Sequence, residues 1–532
     1  GTRISGGTES VNMLSNSTRA YGGLGGVVES ADLFVMENGA TLQTTETVTQ
    51  GSPMKMEGKD GGCVENLKDF IVETPVEGTL LTKKGDGWMK LNTVCPSLER
   101  LAINGGTVQC VACDRPAQTV EVISGTLYDN TGSSYAIHVP EGGSGTWSLA
   151  NRSTYNNKIT GEGTLTIYCA VEHGNGWFAT RTPVAVNLSL FTGTINATAD
   201  MADSYPRFTL NTSSGMPDGT LNITAGVTVQ NTGRTFRIGK LAGKGTLGGY
   251  ASFANDGATG VNTWQVGCDD DFAWAGTVTA NSKFEKVGSG KMTVSGVWDN
   301  TGEVAVKEGT LCLNDRSAEN AMLGSGELSV EDGAVLCGMG KLGNASVTVE
   351  RGGRLYSGTR EGASSGTLDF SGKRLTVSTG GEVLFNVASK VRCTTLEGIS
   401  SFSLRGTLKV SVREGLELEA GDEFQLWVAN RTALSSACTL DLDSPGEGLE
   451  WDTSALENGI LKVKTATGIT GVVSGEPVDC VVYTLDGARA GSFTCMPSEV
   501  GEYMERNGFR SGMYMVKMTQ GQRTESRKVT VD

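Results

Sequence analysis

Short runs in which hydrophobic and polar residues alternate recur along the chain, and each follows a glycine-rich turn. The clearest is GEGTLTI at 161–167, with related runs at 243–247, 288–294 and 324–330. Successive residues of a β-strand point to opposite faces, so the Leu, Ile and Val of each run face one side and the Thr and Ser the other. Runs of about four to six such residues predict short β-strands.

A second glycine phrase recurs at positions 309, 333, 352 and 380, at steps of 24, 19 and 28 residues. Glycine provides the positive backbone φ that tight turns need. A repeat of about 20–30 residues made of short strands and glycine turns predicts coils stacked into a solenoid. One coil cannot bury its apolar stripe alone, whereas stacked coils can, each strand pairing in parallel with its copy in the next coil.

The repeat extends upstream, through glycine phrases at 37–42, 76–81, 103–108 and 123–128. We therefore predict an all-β chain in which residues 1–467 form one solenoid of parallel strands. At about 24 residues per coil, this length predicts about 19 coils. With strands about 4.8 Å apart, the rod is expected to be about 90 Å long.

The pattern changes after residue 467. Residues 480–489 predict a strand that ends in an Asp-Gly turn. Two further strands are predicted at 511–518 and 522–531, joined by a hairpin turn at 519–522. We expect these strands to form a small antiparallel β-sandwich over residues 468–532.

The glycine phrases of the repeat, such as GKGTL at 243–247 and LGSG at 323–326, resemble the β-strand repeats associated with autotransporter passengers. The segment GDEFQLW at 421–427, followed by 448–454 and 459–463, resembles the terminal coils of such proteins. This resemblance implies a right-handed parallel β-helix displayed on a bacterial surface.

The C-terminal segment resembles the sorting domain of type IX secretion cargo in Bacteroidota. The matching positions are VYTLDG at 482–487, GMYMVK at 512–517 and KVTV at 528–531. The resemblance implies recognition by the outer-membrane export machinery and a secreted or cell-surface location. The alternative is an ordinary β-module that caps the solenoid.

Composition and charge narrow the possible partners. Glycine accounts for 75 of the 532 residues but proline for only 11, which disfavours a disordered or collagen-like chain. The net charge of −15 disfavours nucleic acid and anionic membrane surfaces as partners. No apolar run is long enough to predict a membrane-spanning helix.

Few residues suggest catalysis or a bound cofactor. Only two histidines, His138 and His173, could serve as imidazole acid–base groups, and we predict no catalytic residue. The twelve cysteines include one C-x-x-C pair, Cys110 and Cys113, but a zinc site would need a second pair of ligands. We therefore favour free thiols and no cofactor, and leave any disulfide pairing open.

Two sets of residues are candidates for ligand and metal binding. Trp177, in the GNGWF segment at 174–178, and Trp264 and Trp274 are candidate platforms for sugar stacking. Asp269, Asp270 and Asp271 are candidate calcium ligands, but three adjacent carboxylates point to alternating sides, and we predict that they are turn residues rather than a high-affinity calcium site.

Two functional hypotheses remain open, beside the possibility that this chain is the C-terminal part of a longer protein whose catalytic domain lies upstream. The first is a secreted or surface-anchored β-helix without catalytic activity, serving as a stalk, adhesin or scaffold that contacts polysaccharide or host-surface glycan. The second is a carbohydrate-active enzyme, a polysaccharide lyase or glycosidase, with its site on the side of the solenoid. The absence of a convincing His, Arg and carboxylate constellation favours the first hypothesis.

Overall fold

The computed structural model describes most of the chain. The described residues are 3–5, 8–11, 33–129, 132, 134–149, 155–168, 184–199, 206–249, 261–279, 281–314, 323–466, 475–521 and 523–531. They are almost entirely β-structure, about 2% being helical. Within them lie one α-helix, α1 (Val500–Arg506), and one short 3-10 helix, Leu456–Asn458.

The strands are numbered in chain order. Strands β1 to β16 are Arg3–Ser5, Thr8–Val11, Phe34–Glu37, Ala40–Thr44, Val48–Gln50, Met54–Glu57, Gly62–Asn66, Phe70–Val72, Val76–Lys84, Trp88–Leu91, Leu98–Cys110, Thr119–Asp129, Ala136–Val139, Ser144–Leu149, Lys158–Gly161 and Thr164–Tyr168. Strands β17 to β33 are Asn187–Phe191, Thr194–Thr198, Arg207–Leu210, Met216–Ile223, Thr228–Asn231, Thr235–Gly243, Thr246–Gly248, Asn262–Val266, Phe272–Trp274, Thr277–Val278, Ser282–Lys286, Lys291–Val294, Val304–Val306, Thr310–Asn314, Leu328–Val330, Val335–Lys341 and Ser346–Val349. Strands β34 to β49 are Arg354–Ser357, Thr367–Val377, Glu382–Ser389, Arg392–Cys393, Thr395–Leu404, Thr407–Val412, Glu423–Gln425, Trp427–Ala429, Thr432–Leu434, Thr439–Leu442, Leu449–Asp452, Ile460–Thr465, Val478–Thr484, Arg489–Cys495, Gly512–Gln520 and Arg523–Val531.

Parallel pairing from one turn to the next builds a β-solenoid of about 16 turns with the right-handed type of winding. Thr107, for example, pairs with Thr126 one turn later, and Thr126 pairs with Thr146 after one more turn. The predicted fold class is confirmed. The expected count of 19 coils is too high, because many turns are longer than 24 residues, the spacing between paired residues ranging from 17 (Thr119 to Ala136) to 33 (Thr8 to Thr41). At about 4.8 Å per turn, 16 turns span about 77 Å rather than 90 Å.

The interior of the solenoid is one continuous apolar core that extends from Phe34 to Val463. In strands such as Thr164–Tyr168, alternate residues point inward and stack on their copies in the neighbouring turns. Leu127, Trp147 and Ile167 form one such stack, in register along β12, β14 and β16, and each is almost completely buried. The alternation seen in the sequence is therefore the alternation of core and surface.

Two lysines are exceptions to this apolar interior, since Lys83 and Lys286 are fully buried. Each ammonium group donates hydrogen bonds to three backbone carbonyls at a glycine turn. The acceptors are the carbonyls of Lys84, Gly85 and Gly105 for Lys83, at 2.7, 2.7 and 3.3 Å, and those of Val287, Gly288 and Glu308 for Lys286, at 3.0, 2.8 and 3.0 Å. Each side chain therefore ties two successive turns together from inside.

The solenoid ends in a small antiparallel sheet, in which Ile460–Thr465 pairs with both Glu423–Gln425 and Leu449–Asp452. A second apolar cluster lies further along the chain, between Val478 and Val531. It belongs to a four-stranded antiparallel sheet in the order β47-β46-β48-β49. The predicted boundary between residues 467 and 468 falls outside the described residues.

The C-terminal sheet contains two elements that the sequence did not predict. One is the strand β47, whose residues are mostly exposed and therefore show no clear alternation. The other is α1, which buries Val500 and Met504 in the second apolar cluster. A helix of seven residues is too short to give a visible helical period in the sequence.

Candidate functional site

Two of the three tryptophans considered as sugar platforms, Trp264 and Trp274, lie inside the solenoid and not on its surface. Trp264 and Trp274 are 0% and 1% exposed, and both belong to the core. Trp264 is in register with Phe236 and Phe284 on the neighbouring turns, so its indole is part of an inward stack. Neither ring has an accessible face on which a sugar could stack. Trp177 lies outside the described residues.

The acidic segment 269–271 is exposed at a bend between strands, and its carboxylates have separate partners. Asp269 accepts a hydrogen bond of 2.7 Å from the hydroxyl of Ser289, and Asp270 forms an ion pair of 2.6 Å with Lys240. The hydroxyl and backbone N–H of Ser289 both donate to Asp269 and lower the pKa of its carboxyl group.

The third carboxylate of this segment, that of Asp271, accepts a hydrogen bond of 2.7 Å from the backbone N–H of Lys291. The three side chains thus turn toward three different partners rather than converging on one point. In the part of the chain that the structure describes, no group of three or more His, Cys, Asp or Glu side chains is arranged to hold a metal ion.

The eleven cysteines among the described residues are free thiols, and Cys169 lies outside those residues. The two members of the C-x-x-C pair, Cys110 and Cys113, are completely buried in the core. A hydrogen bond with Cys113, together with burial, raises the pKa of the Cys110 thiol well above its usual value. Both groups therefore serve as small core side chains.

A cleft of about 630 Å³ opens on the outer face of the solenoid, and it is the best candidate for a binding site. It crosses five successive turns, at strands β10, β11, β12, β14 and β16. Eight residues line it: Trp88, Thr107, Gln109, Thr126, Tyr128, Thr146, Ser148 and Tyr168.

The lining residues form two rows that run across the strands. The first row consists of Trp88, Thr107, Thr126 and Thr146, each in register with the next. The second row consists of Gln109, Tyr128 and Ser148, also in register, and of Tyr168, which follows the residue paired with Trp147. The two rows share one face because their members are two residues apart in each strand.

Aromatic rings give the cleft its apolar surface. The indole of Trp88 is 41% exposed. It meets the ring of Tyr128 edge to face, with 6.2 Å between centroids and 70° between planes. Burial raises the pKa of Tyr128, so its phenol stays protonated at neutral pH and can both donate and accept a hydrogen bond.

The lining of the cleft is electrically neutral, since none of the eight residues carries a charge. Lys90 lies beside Gln109 in register, but its ammonium group is paired with Asp69 at 2.6 Å. Glycoside hydrolysis usually needs two carboxyl groups that flank the scissile bond. Among the described residues that line the cleft there is no carboxylate and no histidine. The arrangement suits stacking and hydrogen bonding to an uncharged ligand.

The sequence contained part of the signal for this cleft. The Gly-Thr phrases at 106–107, 125–126 and 145–146 align the first row correctly, because these turns are of nearly equal length. The phrase at 163–164 misleads, since Thr146 pairs with Thr166 and not with Thr164. Nothing local in the sequence singles out Tyr128 and Tyr168 as lining residues. The contact between Trp88 and Tyr128, two turns away, depends on how the turns are paired.

No protein-family model and no curated protein sequence matches this chain. The fold and the cleft define its class, which is that of a parallel β-solenoid with a neutral, aromatic-lined groove on one side. Among the described residues, no helix has the length and apolar character needed to cross a membrane.

Proposed function

We propose that this protein is a non-catalytic scaffold that contacts polysaccharide through the cleft between Trp88 and Tyr168. The observation that carries the proposal is the combination of aromatic rings, exposed at Trp88 and half-buried at Tyr128 and Tyr168, with neighbouring hydroxyl and amide groups. Aromatic faces pack against the apolar faces of sugar rings, while Thr, Ser and Gln side chains exchange hydrogen bonds with sugar hydroxyls. The cleft presents both kinds of group and no charged group.

We further propose that the chain is exported to the cell surface. Three segments resemble a type IX sorting domain: 482–487, 512–517 and 528–531. The first begins within a strand of the C-terminal antiparallel sheet, and the other two lie within strands of the same sheet. The sheet would therefore present all three together to the export machinery. A β-solenoid suits an extracellular stalk or adhesin, because its length grows by repetition without a thicker core. Its partner outside the cell would be a polysaccharide or a host-surface glycan.

Affinity electrophoresis against a panel of soluble polysaccharides tests the glycan-binding proposal. We expect at least one polysaccharide to retard the protein, and we expect Trp88→Ala and Tyr128→Ala to weaken that binding about tenfold each, which corresponds to ~1.4 kcal/mol. Val391→Ala is the matched control, because Val391 is 86% exposed and lies far along the chain from the cleft.

Incubation with the same polysaccharides distinguishes a scaffold from an enzyme. We expect no new reducing ends and no unsaturated products after prolonged incubation with the full chain. Release of either product, abolished by a substitution in the chain, would contradict the absence of catalysis.

A further inference from the structure

If the proposed glycan binding is correct, the structure also points to the kind of glycan. We infer that the ligand of the cleft is a neutral, linear polysaccharide chain that lies along the solenoid axis and crosses the strands.

The two rows of lining residues determine the direction in which the polysaccharide lies. In-register residues of a parallel sheet are displaced along the solenoid axis by about 4.8 Å per turn. The first row therefore presents Trp88 and then a hydroxyl at each of three successive turns. A chain lying across the strands would meet this pattern repeatedly. A chain lying along one strand would pass only one member of each row before leaving the cleft.

The spacing of the tyrosines fits an extended chain. Tyr128 and Tyr168 are in the same row and two turns apart, so their backbone positions are separated by about 10 Å. A β-linked chain in which successive sugars turn over by half a rotation presents the same ring face once per disaccharide. Two aromatic rings separated by such a repeat can each pack against an equivalent face of one straight chain.

The neutral surface continues beyond the cleft. In the first row Thr146 is followed by Thr166, Asn196 and Asn222 at successive turns. The side-chain amide of Asn222 donates to the side-chain oxygen of Asn196 at 2.9 Å, which holds both amides in one orientation. From Trp88 to Asn222 there are six strand steps, or about 29 Å. A surface of this length accommodates several sugars rather than a single terminal residue.

The lack of basic residues along the two rows excludes acidic glycans as ligands of the cleft. A uronate-containing chain would need Lys or Arg beside its carboxylates to offset their loss of water. The first row between Trp88 and Asn222 is uncharged throughout. The second row holds no basic residue from Gln109 to Thr198, and Lys90, which precedes Gln109 in register, is already paired with Asp69. The net charge of −15 adds a long-range repulsion toward any polyanion.

Calorimetry with soluble linear glycans tests this inference. Neutral β-1,4-linked chains, such as glucomannan and soluble cello-oligosaccharides, are compared with alginate and polygalacturonate, and the best neutral chain is then tested as oligosaccharides of increasing length. We expect binding of a neutral chain only, with affinity that rises until the oligosaccharide spans about 29 Å.

Variants at the two ends separate the axial arrangement from other arrangements. Asn196→Ala and Tyr168→Ala should weaken the binding of long oligosaccharides about tenfold and leave short ones unaffected, whereas Trp88→Ala should weaken both. Each variant is checked for an unchanged melting temperature, and Val391→Ala again serves as control.

Different results would contradict the axial arrangement, the neutral class of glycan and glycan binding itself. If affinity stops rising at a disaccharide, or if Asn196→Ala is silent with long chains, the axial arrangement is wrong although glycan binding stands. If alginate or polygalacturonate binds more tightly than the neutral chains, the neutral class is wrong. If no glycan binds, the proposed function itself fails.

Discussion

Individual buried side chains decide how firmly the turns are held together. Lys83 and Lys286 hold turns together through their ammonium groups. Burial lowers the pKa of each ammonium group from 10.5 to about 8. Each side chain nevertheless joins carbonyls of two turns, which would otherwise lack these donors. An unsatisfied buried polar group costs about 1–3 kcal/mol, so the lysines stabilise the turns despite their desolvation.

The depressed pKa values predict how stability changes with pH. Between about pH 8 and 10.5 the unfolded chain binds more protons at these lysines than the folded chain does, so the free energy of unfolding rises with pH across this range. This contribution is fully present above pH 10.5 and is lost as pH falls through 8. We expect denaturant titrations of the wild type to show the rise, and Lys286→Met to show a smaller one.

Exposed Lys244 provides the control for that experiment, because Lys244→Met should leave the pH dependence unchanged. A wild-type stability that falls relative to Lys286→Met as pH increases from 8 to 10.5 would show that the folded state prefers the charged lysine.

The inward stacks give a second prediction at this scale. Leu311 is completely buried and is in register with Met292 and Leu336 on either side. Leu311→Asp would place an unpaired charge in this stack and should cost several kcal/mol, on the order of the larger mutational effects. Thr310→Asp, one residue earlier on the outward face, should be much milder. Equal melting temperatures for the two variants would show that the stack does not depend on Leu311.

At the scale of the element, the glycine turns set how closely successive turns approach. Gly161 has a φ of +110°, and a Cβ atom there would lie 2.0 Å from the carbonyl oxygen of Val139 in the turn below. Gly142 has a φ of +73°, with no atom within 4 Å of a Cβ. Both sites carry the strain of positive φ, but only the first also carries a steric clash with backbone.

Alanine substitutions at these two glycines therefore form a matched pair. Gly142→Ala should cost about 1–2 kcal/mol, the usual penalty for an L-residue in the left-handed region. Gly161→Ala should cost clearly more, because β13 and β15 must separate to admit the methyl group. Thermal unfolding of both variants measures the difference. If the two variants are destabilised equally, backbone strain alone accounts for the cost, and the close approach of Gly161 to Val139 adds nothing.

The sequence predicted the strands well and the register poorly, for a physical reason. Alternation such as Leu165 and Ile167 inward, Thr164 and Thr166 outward, depends only on neighbouring residues, although strands such as Arg207–Leu210 and Val304–Val306 are buried at every position. Register depends on the length of each turn, which varies from 17 to 33 residues and leaves no local trace. The cleft is a product of register, so its residues could be assigned to the surface but not to one another.

The same reasoning explains the tryptophans. Trp264 has buried residues two positions away on both sides, Asn262 and Val266, and so belongs to the inward set. Because Trp264 is two residues from each of these neighbours, its position in the strand predicts that its side chain points inward. An aromatic residue beside an acidic cluster was a weaker signal, because a strand of this kind places adjacent residues on opposite faces.

At the scale of the whole molecule, the two separate apolar clusters predict the effect of truncation. The solenoid core ends at Val463, and the C-terminal core begins at Val478. An exposed ion pair of 3.2 Å between Arg523 and Glu447 connects the two parts, and such pairs contribute little to stability. We expect removal of residues 468–532 to leave a folded solenoid with its β-rich far-UV spectrum.

In the native host, the truncated protein should accumulate in the periplasm if residues 468–532 act as the proposed sorting domain. Cell fractionation of the full-length and truncated proteins measures this. Normal surface display of the truncated protein would show that the C-terminal sheet is only a cap. Loss of the β-rich spectrum would show that this sheet is part of the structural end of the solenoid.

The pairing of each turn with the next also determines how the molecule responds to mechanical load. Tension along the axis acts directly on the hydrogen bonds between two turns, so the solenoid extends by peeling turns away one after another. Each turn of 17 to 33 residues then releases on the order of 60–110 Å of chain, at about 3.4 Å per residue. A polymer bound along the axis grips several turns at once and shares the load among them, so attachment to the ligand would reinforce the stalk in the direction in which it is pulled.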